Sequence, residues 1–386
     1  MSMRKTKNRV LRFLLLLLIS ISVTVIYSFW PRPYKWIFIY YMSYDNDLSK
    51  YSNSILDDFA KGISDNKILV VTQADFNDVR GMKRVTLYHF LGITERRDTF
   101  IQSEDSTDPN ELKKFLEWVR KKWKAENYCI VFLDHGGLLN DMCRDDRPSE
   151  DRSRNEKFTS GKWFSALEVS KIAADFNRSV NGKVRLLFLQ QCARAAIQNL
   201  YNFHEASEYI LASPLELWAP STYYTKTLKL LTKAPDMTGK DLARNMMRED
   251  EQYAIYTLID CNELKKLPEK LASVLDSFTM IENLKPSKNC VPLFEYGDEK
   301  FYDLKSYFQA LSSANKTGEK VLQTFFDWSD NNLIVSKQIN INSKKPLDKS
   351  WHSGLSIFVP ANEEQRSRYD FLPLYQDTNL KEILYP

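Results

Sequence analysis

The run Tyr128-Cys129-Ile130-Val131-Phe132-Leu133 holds six consecutive apolar residues and stops abruptly at Asp134-His135-Gly136-Gly137. A run of this length with no polar alternation reads as a strand buried on both faces, the kind that parallel sheets use. A second run, Val184-Arg185-Leu186-Leu187-Phe188-Leu189, ends in the same way at Gln190-Gln191-Cys192, with small residues Ala193, Ala195 and Ala196 behind it. Ligands of parallel sheets bind at the carboxyl ends of the strands. Two such ends closing on an imidazole and a thiol put a Cys/His constellation on one rim of the sheet.

The flanking chain supplies the other strands and their covers. Residues 36–42, 67–73 and 84–90 read as strands, and residues 209–212 as a further one. Asp47, after the polar Ser43-Tyr44-Asp45-Asn46, is placed to cap a helix over residues 48–60. Asp108-Pro109-Asn110-Glu111 combines an N-cap, a first-turn proline and a capping-box acid ahead of the stripe Leu112, Phe115, Leu116, Val119, Trp123. Residues 165–175 carry a helical pattern through Leu167, Val169, Ile172 and Ala173. Strands alternating with helices imply βαβ units: an α/β fold, an α/β/α sandwich around a mainly parallel sheet. We expect this core over residues 36–263. Beyond it the alternation fades into helices over 267–280, 301–311 and 320–328, with one late strand over 354–360. Residues 264–386 therefore read as a helical C-terminal region packed on the sheet.

Residues 1–12 carry Arg4, Lys5, Lys7, Arg9 and Arg12, and residues 13–30 are apolar, with Leu14 to Leu18 unbroken. That length is about the minimum for a transmembrane helix. The basic flank puts the N-terminus in the cytoplasm. The expectation is a signal anchor with an extracytoplasmic body. A cleaved signal, giving a secreted protein, is the other reading. The net charge of +4 over 386 residues, with basic and acidic residues mixed, gives no case for nucleic-acid binding. Five cysteines without CxxC or zinc spacing argue against a disulfide framework, and no metal site is expected from spacing. Residues 141–157 are rich in charge and read as a mobile surface loop, with Arg144, Arg147, Arg152 and Arg154 as basic sites for proteolysis.

In order along the chain, Tyr41-Met42-Ser43-Tyr44-Asp45-Asn46-Asp47-Leu48, Asp108-Pro109, Leu133-Asp134-His135-Gly136-Gly137, the Cys192 strand, Leu211-Ala212-Ser213 and Gly354-Leu355-Ser356-Ile357-Phe358-Val359-Pro360 resemble the clostripain family of cysteine peptidases, part of the caspase-like group. The resemblance implies a caspase-like fold and an endopeptidase with Cys192 as nucleophile and His135 as proton donor to the leaving amine. It implies an oxyanion hole made by the backbone N–H groups of Gly136 and Cys192. It implies peptide or protein substrates, a precursor clipped between the histidine and cysteine strands, and a protein acting as a monomer or as two clipped chains. No cofactor is required, although calcium affects some members, and Asp45 and Asp47 offer oxygen ligands besides their turn and cap roles. A helix starting just after Cys192 would favour its thiolate. One position departs from the family. Where an aspartate two residues before the nucleophile selects basic substrates, this chain has Gln190, an amide without charge. Glu216 is the candidate to supply that charge. A caspase-like peptide-binding or adhesin protein without activity is the alternative.

Overall fold

The computed structural model describes residues 33–76, 81–148, 161–252, 254–278, 290–340 and 352–384. Its strands are β1 (Tyr34–Tyr44), β2 (Ile68–Phe76), β3 (Lys83–Phe90), β4 (Ile93–Phe100), β5 (Ala125–Leu133), β6 (Asp141–Asp145), β7 (Lys162–Ser165), β8 (Val184–Gln190), β9 (Tyr209–Ala212), β10 (Ala254–Asp260), β11 (Pro292–Tyr296), β12 (Glu299–Asp303), β13 (Ile334–Asn340) and β14 (Ser356–Phe358). The helices of the core are α1 (Ser52–Gly62), α2 (Pro109–Lys122), α3 (Ala166–Ser179), α4 (Ile197–Asn202), α5 (Tyr224–Lys233) and α6 (Gly239–Glu249).

Nine strands form one sheet in the order β13-β10-β9-β8-β5-β1-β2-β3-β4. The inner five, β9 to β2, are parallel, and each flank adds two antiparallel strands. Side chains alternate across β1. Trp36, Phe38, Tyr40 and Met42 enter a core with Phe59 of α1, Leu228 of α5 and Met246 of α6. Ile37, Ile39 and Tyr41 enter the opposite core with Phe115 of α2, Ile172 of α3 and Leu200 of α4. Both faces of the central strands are therefore covered, which is why their sequences are apolar without alternation. Helix α2 begins as its sequence predicts, with Pro109 in the first turn and the Asp108 carboxylate accepting from the Asn110 N–H at 2.9 Å.

Three expectations are corrected. The cap after β1 is Asn46, whose side chain accepts from the Leu48 N–H, and Asp47 opens a short 3-10 turn (Asp47–Tyr51) ahead of α1. Residues 141–148 are not a loose loop: β6 pairs with β7, and Met142, Cys143 and Asp145 are buried. The C-terminal part is not simply helical. Phe301, expected in a helix, lies in β12, and the late strand β14 joins β11 and β12 in a separate three-stranded sheet. The strand that returns to the main sheet is β13, on its edge. Residues 34–386 form one compact unit, so position 264 divides no bodies. Among the described residues no helix is long and apolar enough to cross a membrane; residues 13–30 lie outside them.

Candidate active site

Strands β5 and β8 are neighbours, with Leu133 opposite Gln190, so His135 and Cys192 leave the sheet side by side. The backbones that carry them touch. A Cβ placed on Gly136 would collide with the carbonyl oxygen of Cys192 and come within 3.1 Å of its N atom. Only glycine allows that approach. The Leu217 N–H hydrogen-bonds the Cys192 thiol at 3.5 Å, and the Gly136 backbone lies close enough to help lower its pKa. Ala193, directly after the nucleophile position, sits at φ 54, a left-handed conformation that a small side chain tolerates best. It is pinned by its own N–H to Leu215 O at 2.9 Å, and Ala195 N–H bonds Ser213 O at 2.9 Å.

The Cys192 thiol is raised from its ordinary value, first by burial and also by the charge of Glu216, against the lowering by hydrogen bonds and by Arg194. This corrects the expected thiolate. The following helix, α4, is only six residues long and begins after an Ala196 cap rather than at Cys192 itself.

His135 Nε2 lies 2.8 Å from Asp47 Oδ1. Asp47 is thus neither a helix cap nor part of the acidic cluster described below; it orients the imidazole. Burial pushes the Asp47 carboxyl up, but its hydrogen bond and proximity to His135 outweigh that and leave it below the ordinary value. Asn46 sets Asp47 in place by donating to Asp134 Oδ1 and to Arg144 O, both at 2.8 Å. Asp134 also accepts from the Arg144 N–H, tying the end of β5 to β6. Among the described residues the ring and the thiol do not bond each other.

The residue that sequence reasoning missed is Arg194. Its side chain is wholly buried, and its five N–H groups meet five backbone carbonyls. Nε donates to Cys192 O at 3.0 Å, Nη1 to Leu139 O and Asp141 O, and Nη2 to Gly137 O and Leu138 O. A bare buried guanidinium would be prohibitive; here the carbonyls of the turn after His135 replace water. Arg194 therefore holds that turn against Cys192. A charged side chain amid alanines was the only signal in the sequence. The C-terminal region helps: Glu299 of β12 accepts from the Leu139 N–H at 2.7 Å, and the Ser356 N–H of β14 bonds Ala195 O at 2.9 Å.

Gln190 is buried, and its amide is engaged by hydroxyls. Nε2 donates to Ser221 Oγ at 2.7 Å and Tyr224 OH at 2.9 Å, and Tyr223 OH donates to Oε1 at 2.8 Å. Both amide hydrogens are spent within the fold, and Oε1, the only amide atom able to accept from a substrate guanidinium, already accepts from Tyr223 OH. Glu216 is exposed on the segment that runs beside the nucleophile, one residue before Leu217. Arg144 pairs with Asp146 at 2.6 Å and Arg147 with Asp45, while Arg152 and Arg154 lie outside the described residues. Cys143 is not in a charged loop but buried at φ 55, accepting from Gln191 Nε2 at 3.0 Å. Asp45, Asp75 and Asp145 bring carboxylate oxygens within 4.8 Å of one another, the set among the described residues to which an oxygen-seeking cation such as calcium would turn. Arg147 already brings positive charge to Asp45, and Asp145, raised to about 6 chiefly by burial, accepts from Ser106 N–H and Oγ.

A family model described as the clostripain family matches residues 40–383. Clostripain of Hathewaya histolytica is 21% identical over 334 residues, covering 68% of this chain and 58% of that relative. The chain thus spans less than two thirds of the curated relative that it matches. Two solved structures share the fold. A secreted C11 cysteine protease from Bacteroides thetaiotaomicron, bound to an irreversible peptide inhibitor, superposes with TM-score 0.69 at 15% identity over 89% of this chain and 99% of its own. An inactive zymogen C11 protease from Parabacteroides distasonis gives 0.67 at 17% identity over 90% and 99%.

Two outcomes follow from this geometry. Because the thiol is raised, alkylation of Cys192 by iodoacetamide should keep accelerating past about pH 9, beyond the ordinary thiol midpoint; a plateau reached near neutral pH would contradict the burial of the sulfur. Arg194→Met should lower kcat about a hundredfold, comparable to losing an oxyanion donor, and shift the alkylation profile further alkaline. Arg194→Lys keeps the charge but cannot span five carbonyls, so it should retain the alkylation profile while kcat still falls. Unchanged kcat in both variants would remove Arg194 from the positioning role.

Proposed function

The chain belongs to the clostripain family, and from that membership and the geometry at Cys192 we propose that it is a cysteine endopeptidase tethered to a membrane by residues 13–30. The observation that carries the reading is the contact of Gly136 with the Cys192 backbone, which brings the two N–H groups of the oxyanion hole together and leaves no room for a side chain there. In this mechanism the Cys192 thiol loses its proton to solvent and the sulfur attacks the scissile carbonyl carbon, breaking the C=O π bond to give the oxyanion. The oxyanion that forms is held by the N–H groups of Gly136 and Cys192. His135, steadied by Asp47, gives a proton to the departing amine, and water then cleaves the thioester. Burial of the thiol means that the free enzyme holds it protonated, so substrate binding has to accompany deprotonation.

The precursor reading rests on the interval between the histidine and cysteine strands, and it borrows from the zymogen form named for the Parabacteroides protein. Arg144 and Arg147 are held in ion pairs beside β6, so clipping would fall at Arg152 or Arg154. An electrophilic peptide probe tests activity and processing together. It should label the wild-type protein and not Cys192→Ala, and on a denaturing gel the label should sit on a fragment beginning after residue 152. No labelling would favour the inactive peptide-binding alternative; label on an intact chain would dismiss the clipping.

For specificity we propose that Glu216, not Gln190, attracts a basic residue before the scissile bond, since Gln190 carries no charge and its one acceptor, Oε1, is buried and already accepts from Tyr223 OH. An exposed carboxylate acts weakly across solvent. In a positional-scanning peptide library, Glu216→Gln should lower the Arg-over-Ala preference about fivefold. The same preference in both proteins would sink the assignment.

A further inference from the structure

The β3–β4 hairpin turns through Phe90-Leu91-Gly92-Ile93, and these side chains are out of place for a soluble surface. Leu91 is 85% exposed, Ile93 66% and Phe90 55%, three of the six exposed large apolar side chains among the described residues. The backbone makes the choice stranger. Leu91 at φ 48 and Gly92 at φ 84 form the two-residue turn with both central residues left-handed, where Asn-Gly is the favoured pair. A leucine there adds strain and packs on nothing that would offset it. The middle of β4, an edge strand, is defended by Glu95, Arg96, Arg97 and Asp98, as exposed edges usually are. The tip lacks that defence.

Its position on the sheet suggests what it meets. Strand β3 is antiparallel to β2 and pairs Tyr88 with Leu69, so the tip lies at the amino ends of the parallel strands. Strand β1 begins at that same end, with Trp36 opposite Ile68. Only Pro31, Arg32 and Pro33 separate the apolar residues 13–30 from Tyr34. Three residues reach about 10 Å at full extension. We propose that the Phe90–Ile93 tip inserts into the interfacial layer of the bilayer that residues 13–30 enter, a second contact that stands the sheet on the membrane by its amino-terminal rim. This rests on the tethered reading above. Its consequence is orientation: His135 and Cys192 lie at the opposite rim, a β5 length of about 30 Å away, facing substrates in the aqueous phase.

The test uses the full chain reconstituted in phosphatidylcholine–phosphatidylglycerol vesicles, with Leu91→Trp compared to the parent protein. Acyl-brominated phospholipid should quench the fluorescence that the added tryptophan contributes, and the protein should float with the vesicles. Flotation without added quenching would overturn the proposal while leaving the tether intact. Failure to float would remove the tether, and the proposal with it. Leu91→Asn, which suits the turn, should raise Tm by about 2–4 °C and leave cleavage of a soluble peptide unchanged; a lower Tm would show that Leu91 serves the fold instead.

Discussion

The guanidinium of Arg194, buried among five carbonyl oxygens, is what makes one site out of two strand ends. The parallel sheet brings His135 and Cys192 near each other, but adjacency of strands fixes position only to the strand spacing. Catalysis by proton transfer and oxyanion binding needs finer placement. Arg194 supplies it by reading the carbonyl of its own turn, at Cys192, together with the carbonyls of residues 137, 138, 139 and 141. The glycine at 136 then fits against the nucleophile because the turn has been drawn there. The C-terminal region completes the enclosure from behind through Glu299 and β14. This is a reason for residues so far along the chain to belong to one compact unit.

The electrostatics of the site are divided between a quiet interior and a charged mouth. Gln190 and its three hydroxyl partners form a neutral, closed network beneath the nucleophile strand. Such a network is satisfied without a substrate, and a charged side chain placed there would have to break it. Asp47 and Glu216, by contrast, are exposed, one steadying the imidazole and the other beside the thiol. The mouth of the site is therefore acidic and its floor neutral. Burial, with the charge of Glu216 added to it, raises the Cys192 thiol.

Much of this was legible in the residues. The apolar runs before His135 and Cys192, the capping signals of α2 and the alternation of strands and helices announced a covered parallel sheet with a Cys/His rim. The failures have physical causes. Residues 141–148 look like loop because their charges are many, yet Asp145 is buried, Arg144 is paired with its neighbour Asp146, and Arg147 is paired with Asp45 far back in the chain. Phe301 looked helical because a strand of five residues next to a helix leaves no period of its own to read. Arg194 was invisible because charge in a sequence is read as surface.

Periodicity and the identity of a few side chains determined the fold class and the strand ends on which an imidazole and a thiol meet, because these depend on which residues can be buried. The tertiary structure alone decided the pairing of Asp47 with His135, the closed amide of Gln190, the raised Cys192 thiol and the clamp of Arg194. Each of these depends on where a hydrogen-bond partner far along the chain ends up, and no local pattern encodes that distance.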